Sequence, residues 1–369
     1  MLTYLKKEKV LTISLVLAVA SMFLVKPDAG YKEYIDWRVL ALLFGLMLIV
    51  KGFQGIGLFD LLIRKAFSGV KNVRRLAQLL TAVCFFSSML ITNDVALITF
   101  VPFGLIALSL CGQEKRAIPI VVLETIAANL GSMATPVGNP QNLYLFSASG
   151  MPLAGFFASV LPVAFISFVL LMLASLLIPA EPIQMKLEEK KDALNKLEMG
   201  VYSVLFIVNL LVVFRVIHFL PALLLTIAGV LAVRKPRLLL QADYALLLTF
   251  VGFFVFVGNL GRVELIREWI SSVLLGREIL VSALFSQVIS NVPAAILLSG
   301  FTDNFSGLLI GANIGGLGTI IASMASLISY KLYAAQPGAD KTKYMLVFTL
   351  YNAIGLVLLL GLCVLAKMG

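Results

Sequence analysis

The sequence predicts an all-α polytopic membrane protein made of two inverted-topology repeats, each with a re-entrant hairpin and a discontinuous transmembrane helix. Of its 369 residues, 60% are hydrophobic and 13% are charged, whereas about a quarter of the residues of a soluble domain are charged. A polar stretch rich in proline and glycine, residues 128–142 (ANLGSMATPVGNPQN), interrupts a long apolar run. Residues 312–326 (ANIGGLGTIIASMAS) match it at Ala, Asn, Gly and Thr with a constant offset of 184. Non-helical backbone is tolerated at membrane depth only when buried or beside a wet cavity, so two matching breaks indicate one shared site.

The first repeat is predicted to span residues 1–180. In order, it contains apolar segments at 10–25 and 37–59, a hairpin at 76–111, a broken helix at 117–146 and a last apolar segment at 151–179. The basic residues 1–9 and the apolar segment after them also fit a secretory signal peptide. We reject that interpretation because residues 221–244 repeat the same order of apolar segment, basic residue, proline, aspartate and aromatic residue.

The second repeat is predicted to span residues 220–369. A charged cytoplasmic linker at 181–199 and an extra transmembrane helix at 200–219 precede it, and it contains a hairpin at 278–301 and a broken helix at 305–333. The arms of this hairpin have about 7 to 11 residues, and a helix that crosses a bilayer needs about 20. The hairpin is therefore expected to enter and leave the membrane on one side.

The number of crossings predicts the symmetry of the repeats. Five crossings separate the starts of the two repeats, and an odd number makes them inverted, as in secondary transporters. The predicted topology places 20 of the 29 Lys and Arg residues on the side of the N-terminus. That side is cytoplasmic by the positive-inside rule. We therefore expect a multi-pass plasma (inner) membrane protein with a cytoplasmic N-terminus and an external C-terminus.

Several other functions are excluded by the same composition. The net charge of +10 reflects the positive-inside excess, so no nucleic-acid partner is expected. The three cysteines lie in apolar segments without metal-ligand spacing, and no hydrolase, dinucleotide or P-loop motif occurs. The chain is therefore predicted not to be an enzyme, and to have no structural metal and no cofactor beyond a coupling ion.

The candidate binding residues lie at the hairpin tips and the helix breaks. A hairpin tip presents the N-terminus of its second arm, which attracts anions, and Asn139 followed by Pro140 fits the cap and first position of another such helix. The first half-helices end near Asn129 and Asn313 with carbonyl oxygens that suit a cation such as sodium, and Asn93 and Asn291 are added to that possible sodium site. For each residue, a cap or an interhelical hydrogen bond is the structural alternative. The full set is Thr92, Asn93, Asp94, Asn129, Thr135, Asn139, Asn142, Ser290, Asn291, Asn313, Thr319 and Ser323.

Three charged residues are candidates for ion coupling. An ionised carboxylate near the bilayer centre costs about 2.5 to 3.5 kcal/mol on insertion scales, so Asp94 is expected to bind a proton or sodium, the alternative being a neutral helix cap. Glu124 lies on the first half-helix and either faces the cavity or lies nearer its cytoplasmic end. Lys51 is a candidate positive partner of either carboxylate, or it extends to the membrane surface.

Four motifs resemble those of one superfamily: TNDVALITFVP at 92–102, ANLGSMATPVGNPQN at 128–142, SNVPAAILL at 290–298 and GANIGGLGT at 311–319. They are similar to the ion transporter superfamily of arsenite efflux permeases, sodium/proton antiporters, citrate permeases and divalent-anion/sodium symporters. The resemblance covers nearly the whole chain and is closest to the short arsenite-permease-like branch. The dicarboxylate symporters have Ser-Asn-Thr at both tips, and this chain departs from that pattern with Thr-Asn-Asp and Ser-Asn-Val.

The predicted function is that of a secondary active transporter, or permease, that moves a small anion or oxyanion by alternating access, coupled to a proton or sodium gradient. The alternatives are a cation/proton antiporter, an arsenite-type metalloid efflux permease and, less favoured, a passive channel. The expected partners are the anionic substrate, the coupling ion and the lipid bilayer. A homodimer and a cytoplasmic ATPase partner are left open.

Overall fold

The computed structural model describes residues 8–67, 69–183 and 195–366. In these ranges the secondary structure is helical, apart from an antiparallel β-bridge between Asn72 and Pro182. Seven of the described helices are long and apolar enough to cross a membrane. The chain is therefore a multi-pass, all-α membrane protein, as the composition predicts.

The first half contains the predicted hairpin and broken helix. Its helices are α1 (Lys9–Ser21), α2 (Tyr31–Tyr34), α3 (Trp37–Gly55), α4 (Leu58–Phe67), α5 (Val73–Ile91), α6 (Asn93–Leu110), α7 (Ala117–Ser132), α8 (Pro140–Ser149) and α9 (Leu153–Ser175). The hairpin consists of α5 and α6, with 19 and 18 residues. Both arms are long enough to cross the membrane, so re-entrance of this hairpin stays a prediction.

The second half contains the shorter hairpin. Its helices are α10 (Lys196–Val213), α11 (Phe219–Ala232), α12 (Tyr244–Gly261), α13 (Glu264–Leu274), α14 (Glu278–Ile289), α15 (Asn291–Ser299), α16 (Phe305–Ile314), α17 (Met324–Ala334) and α18 (Lys341–Leu365). The hairpin arms α14 and α15 have 12 and 9 residues, fewer than the roughly 20 of a full crossing. The amphipathic helix α13 precedes this hairpin and meets α14 at an angle of 111°.

Several predicted boundaries differ from the structure. The first half-helix continues to Ser132 and the second begins at Pro140, so the break is shorter than the predicted 128–142. The extra helix predicted at 200–219 ends at Val213, because the chain turns at Arg215 with a positive φ of 62°. Helices α1 and α11 have 13 and 14 residues, which is less than a straight crossing requires. Most of the predicted linker at 181–199 lies outside the described residues.

The two broken helices lie in the interior of the protein. Every residue of α7 except Pro119 is buried, and α7 packs against α5, α6, α9, α17 and α18. In α16, all residues from Gly307 to Ile314 are buried as well. A helix that is buried on all sides is a core element. This position explains why the chain tolerates polar breaks, since protein and not lipid surrounds the exposed backbone groups.

An ion pair joins the loop before α7 to the segment after α9. The Arg116 guanidinium and the Lys115 ammonium lie 2.6 and 3.2 Å from the carboxylate oxygens of Glu181. Hydrogen bonds from Arg116 and then Lys115 lower the pKa of Glu181 to about 2. The backbone N–H of Val73 also donates to the Glu181 carbonyl at 2.9 Å. The starts of α5 and α7 are therefore fixed to one strand-like segment.

Candidate functional site

The two hairpin tips share an unusual backbone conformation. Thr92 has φ 69° and ψ 152°, and Ser290 has φ 74° and ψ 155°. This region is normally occupied only by glycine, and a residue with a Cβ there is strained. Neither side chain caps the helix that follows, so the first turns of α6 and α15 have no cap from Thr92 or Ser290. Two strained tips at matching places are typical of a functional site, and the strain requires support from neighbouring segments.

Backbone hydrogen bonds provide that support in the same way in both halves. The N–H of Asn93 donates to the carbonyl of Gly138 at 3.2 Å, and the N–H of Asn291 donates to the carbonyl of Ala322 at 2.9 Å. Asn93 and Asn291 are 198 residues apart. Gly138 and Ala322 are 184 residues apart, which is the offset between the two breaks in the sequence. Each tip is therefore attached to the helix break of its own half by an equivalent bond.

The predicted binding residues Thr135 and Thr319 form a second matched attachment. The Thr135 hydroxyl donates to the carbonyl of Met89, and the Thr319 hydroxyl donates to the carbonyl of Gln287 at 3.1 Å. Both acceptors lie three residues before a tip. Neither threonine lines the cavity described below, and Thr319 is exposed. Both threonines thus make a hydrogen bond of the kind named as the structural alternative, and their role in binding stays a prediction.

Asn129 connects the first broken helix to the second half of the chain. Its Oδ1 accepts hydrogen bonds from Asn93 Nδ2 at 3.1 Å and from Ser323 Oγ at 3.0 Å. Its Nδ2 donates to Ser326 Oγ at 3.3 Å. Ser323 is the N-cap residue of α17, and Ser326 lies in its first turn. Asn129 is buried, and these three bonds account for its side chain.

Asn313 makes the reciprocal connection. Its Oδ1 accepts from Asn139 Nδ2 at 2.9 Å, and its Nδ2 donates to Asn142 Oδ1 at 2.6 Å. Asn139 is the N-cap of α8, with Pro140 at the first helical position, so the predicted cap is confirmed. Asn313 lies 184 residues after Asn129. Its partners Asn139 and Asn142 lie 184 residues before Ser323 and Ser326, the partners of Asn129. Each break asparagine therefore bonds to the start of the other half's second half-helix.

The carbonyl groups predicted to suit sodium already have amide partners. Asn142 Nδ2 lies within hydrogen-bond distance, 3.0 to 3.3 Å, of the carbonyls of Ser132, Met133 and Thr135. In the second half, Gln287 Nε2 lies 2.9 to 3.0 Å from those of Ala283, Gly315 and Leu317. We call each of these groups a carbonyl cluster. The amide nitrogen in each cluster takes the position that a coordinated cation would need.

A cavity of about 400 Å³ lies between α3, the first hairpin tip and the start of α8. Its lining includes Thr92, Asp94 and Asn139, and also Glu8 and Gln241. Glu8 precedes α1 and Gln241 precedes α12, so the cavity extends to the N-terminal ends of these two helices. Ser290 and Asn291 of the second tip do not line this cavity. A smaller adjoining cavity, which shares Glu8, Asp243 and Leu246 with it, reaches Val292 and Pro293 of α15.

Among the described residues, carboxylates outnumber basic groups on the cavity wall. Of these residues, Glu8, Asp94 and Asp243 line it together with one basic residue, Lys51. The Lys51 ammonium donates to Gln54 Oε1 at 3.4 Å and forms no ion pair with Asp94. The predicted Lys51 partnership is therefore not observed. Asp243 caps α12, but no described side chain donates a hydrogen bond to the Asp94 carboxylate.

Glu124 lies outside the cavity. It is fully buried, and a Cβ at Gly104 of α6 would lie 3.2 Å from its Oε1. Its carboxyl group therefore faces α6 and not the space beside Asp94. The predicted alternative in which Glu124 faces the cavity is not observed.

Sequence reasoning missed four residues that complete the site: Ser326, Ser132, Gln287 and Asp243. The offset of 184 pairs Ser326 with Asn142 and identifies it without a structure. The sequence identifies Asp243 as the repeat counterpart of Asp36, but it does not predict that Asp243 lines the cavity. Gln287 gave no signal, since its task depends on how α14 docks beside the break.

Comparisons with known proteins show which proteins this chain is similar to. A family profile described as "Citrate transporter" (CitMHS) matches residues 4–306. Inner membrane protein YbiR of Escherichia coli is 32% identical over 332 residues, covering 85% of this chain and 84% of that protein. The uncharacterized transporter MJ0456 of Methanocaldococcus jannaschii is 34% identical over 304 residues, covering 81% of each chain. The P protein of Mus musculus is 29% identical over 153 residues, which cover 38% of this chain and 18% of its own.

Proposed function

The chain belongs to the citrate transporter family, and on that premise we propose that it is a secondary active transporter of a small carboxylate or other oxyanion, driven by protons. The family is one of membrane transporters and not of enzymes. The substrate, the coupling ion and alternating access are the parts that we propose. Placement in the arsenite-permease-like branch stays a prediction.

The cavity at the first hairpin tip is the observation that carries the proposal. Its volume of about 400 Å³ lies within the range of about 300–1,000 Å³ for small-molecule sites. Asn139 and Pro140 on its wall begin α8, and a helix N-terminus favours an anion. Lys51 adds a positive charge to the same space. An organic acid such as citrate fits this combination of size and charge.

The carboxylates on the wall support transport together with a cation. An anion that approaches Glu8, Asp94 and Asp243 is repelled unless protons or cations offset these charges. Sodium is the less favoured coupling ion, because amide nitrogens occupy both carbonyl clusters. The Asp94 carboxylate accepts no hydrogen bond from any side chain in the described part of the chain, so its oxygens are available to accept a proton. We therefore assign the coupling proton to Asp94.

The matched contacts support two inverted repeats. The strained backbone at the tip, the backbone hydrogen bond from the tip to the break, and the hydrogen bonds of the break asparagine each occur once in each half. Such pairs of equivalent contacts are expected for two repeats related by a pseudo-twofold axis. We propose that the side of Glu8 and Gln241 is cytoplasmic, following the Lys and Arg distribution, and that the cavity is open to the cytoplasm. A homodimer and an ATPase partner stay predictions.

A cation/proton antiporter is the second candidate, and the excess of carboxylates on the wall favours it. In that case a metal cation and a proton compete for Asp94 without an organic anion. Added sodium, potassium or calcium would then collapse a pH gradient in liposomes that contain no anion substrate. An arsenite permease would instead show arsenite flux, and a channel would show flux that does not saturate.

Flux in liposomes tests the proposal. Purified protein is reconstituted, and uptake of labelled citrate is measured under an imposed proton gradient and, separately, a sodium gradient. We expect saturable uptake driven by protons, and loss of gradient-driven accumulation in Asp94→Asn. Asp36→Asn is the matched control, since Asp36 caps α3 outside the cavity and asparagine also caps helices.

The possible outcomes separate the candidates. Uptake driven only by sodium would overturn the assignment of the proton, and unchanged accumulation by Asp94→Asn would overturn the role of Asp94. If citrate gives no uptake, a thermal-shift screen of carboxylates, arsenite and sulfate identifies the anion, because a bound ligand stabilises the folded state.

A further inference from the structure

Glu124 is a fully buried carboxyl group whose partners do not satisfy it. Its Oε2 has no hydrogen-bond partner, and its Oε1 accepts only a weak bond from Cys84 Sγ at 4.0 Å. No described Lys, Arg or His forms an ion pair with it. An ionised carboxylate without a partner is very costly in an apolar interior, and such a group neutralises instead. The surroundings of Glu124 therefore require a proton on it.

Two further buried hydroxyl groups lie on the helices around this carboxyl group. The Thr81 hydroxyl has no hydrogen-bond partner, and Thr81 precedes Cys84 by three residues, so both lie on one face of α5. The Tyr344 hydroxyl of α18 is buried beside its hydrogen-bond neighbour Thr125 and interacts electrostatically with Glu124. Buried polar atoms without a partner are costly, so the unpartnered atoms of Glu124 and Thr81 indicate a site with a ligand.

The other helices around Glu124 contribute no charge to it. On α6 the nearest group is Gly104, whose missing side chain leaves room for the carboxyl, and the one titratable residue of α6, Asp94, lies at its far end. Helices α9 and α16 contain no titratable residue. On α17, Tyr333 stacks against Tyr344 at a ring distance of 4.8 Å, while Lys331 is exposed. Among the titratable groups that the structure describes on these helices, Cys84 and Tyr344 are thus the two that face Glu124.

We propose that Glu124, Thr81, Cys84 and Tyr344 form a second proton-binding site, in which Glu124 holds the proton and a buried water bridges it to the two hydroxyls. A buried water needs about two to four polar partners, and this group supplies four. The site is distinct from the cavity, because none of the four residues lines it. In the second half, the offset of 184 places Leu308 opposite Glu124, so the site has no twin.

Infrared spectroscopy of the full-length protein in liposomes tests the site without any transport substrate. A protonated carboxyl group has a C=O band that an ionised one lacks. At pH 7 we expect such a band in the wild type and in Asp94→Asn, and its loss in Glu124→Gln. Glutamine resembles the neutral acid in shape and hydrogen bonding, so this variant should fold. If the wild type shows no such band, or if its band remains in Glu124→Gln, Glu124 does not carry the proton and the proposal is overturned.

The hydroxyl variants test the shared water. Tyr344→Phe and Thr81→Val keep the size of each side chain and remove one partner of the water, so each should shift the Glu124 band. A band that stays at the same position in both variants would overturn the bridge. These measurements do not depend on the proposed transport function, since failure of citrate uptake would leave the band unaffected.

Discussion

The strained hairpin tips predict an inverted order of stability for alanine and glycine. At an ordinary helical position, glycine is less stable than alanine by roughly 0.5 to 1 kcal/mol because it loses more chain entropy. At Thr92 and Ser290, the positive φ near 70° with ψ near 150° costs a residue with a Cβ about 1 to 3 kcal/mol. The difference leaves Thr92→Gly more stable than Thr92→Ala by up to about 2.5 kcal/mol, with a central value of about 1 kcal/mol.

The same comparison at Ser290 gives a smaller difference. Ser290 is buried, so glycine also loses the burial of one carbon, worth about 0.8 kcal/mol. Its hydroxyl bond to the Ala322 carbonyl, at 3.4 Å, is lost in both variants and cancels. Comparing alanine with glycine therefore isolates the effect of the Cβ at each tip.

Equilibrium unfolding by denaturant in detergent micelles measures these differences. Ala158→Gly provides the reference, because Ala158 is exposed within α9, and glycine should destabilise there. The reasoning is refuted if alanine is more stable than glycine at both tips, as it is at residue 158. Equal effects at all three positions would show that the tips store no strain.

Three other predictions test separate parts of the structure. Asn93→Ala and Asn291→Ala should both leave a folded, monodisperse protein with impaired anion binding by thermal shift, and normal binding in both would remove the tips from the site. A single cysteine at Lys71 should be unreactive to an impermeant thiol reagent added outside cells, whereas one at Glu264 should react; the opposite pattern would reverse the topology. Glu181→Gln should lower the melting temperature slightly at pH 7. Because the pKa of Glu181 falls from 4.5 to about 2 on folding, the ion pair stabilises the protein fully above pH 4.5 and is lost as the pH falls toward 2. Melting curves of the two proteins should therefore converge between these values, and a constant difference down to pH 3 would contradict the assignment.

Structural features that depend on a single segment of the chain could be predicted from the sequence. The Asn139–Pro140 cap, the two hairpins and the two helix breaks follow from residues that end or begin helices, and the structure contains all of them. The offset of 184 also paired Asn129 with Asn313, which make equivalent hydrogen bonds in the two halves. These features depend on backbone propensities and on internal repetition, both of which a single sequence contains.

Contacts between distant segments were not readable in the same way. Whether Thr135 faces a cavity or a neighbouring carbonyl depends on how α5 docks beside the break, which no local pattern specifies. Glu124 is a similar case, because one residue turns a helix by about 100° and the sequence does not show which neighbour lies on that side.

The crossed bonds of Asn129 and Asn313 limit how the protein can move. Separating the two broken helices would break hydrogen bonds of buried amides on both sides at once, without water to replace them. We therefore expect the hairpins and broken helices to travel as one rigid body. We expect the hinges to be the amphipathic helices α4 and α13, which precede the two hairpins and expose apolar side chains such as Leu61 and Leu265. Because amphipathic helices of this kind bind at the headgroup layer, the rate of transport should depend on the thickness and stiffness of the surrounding bilayer.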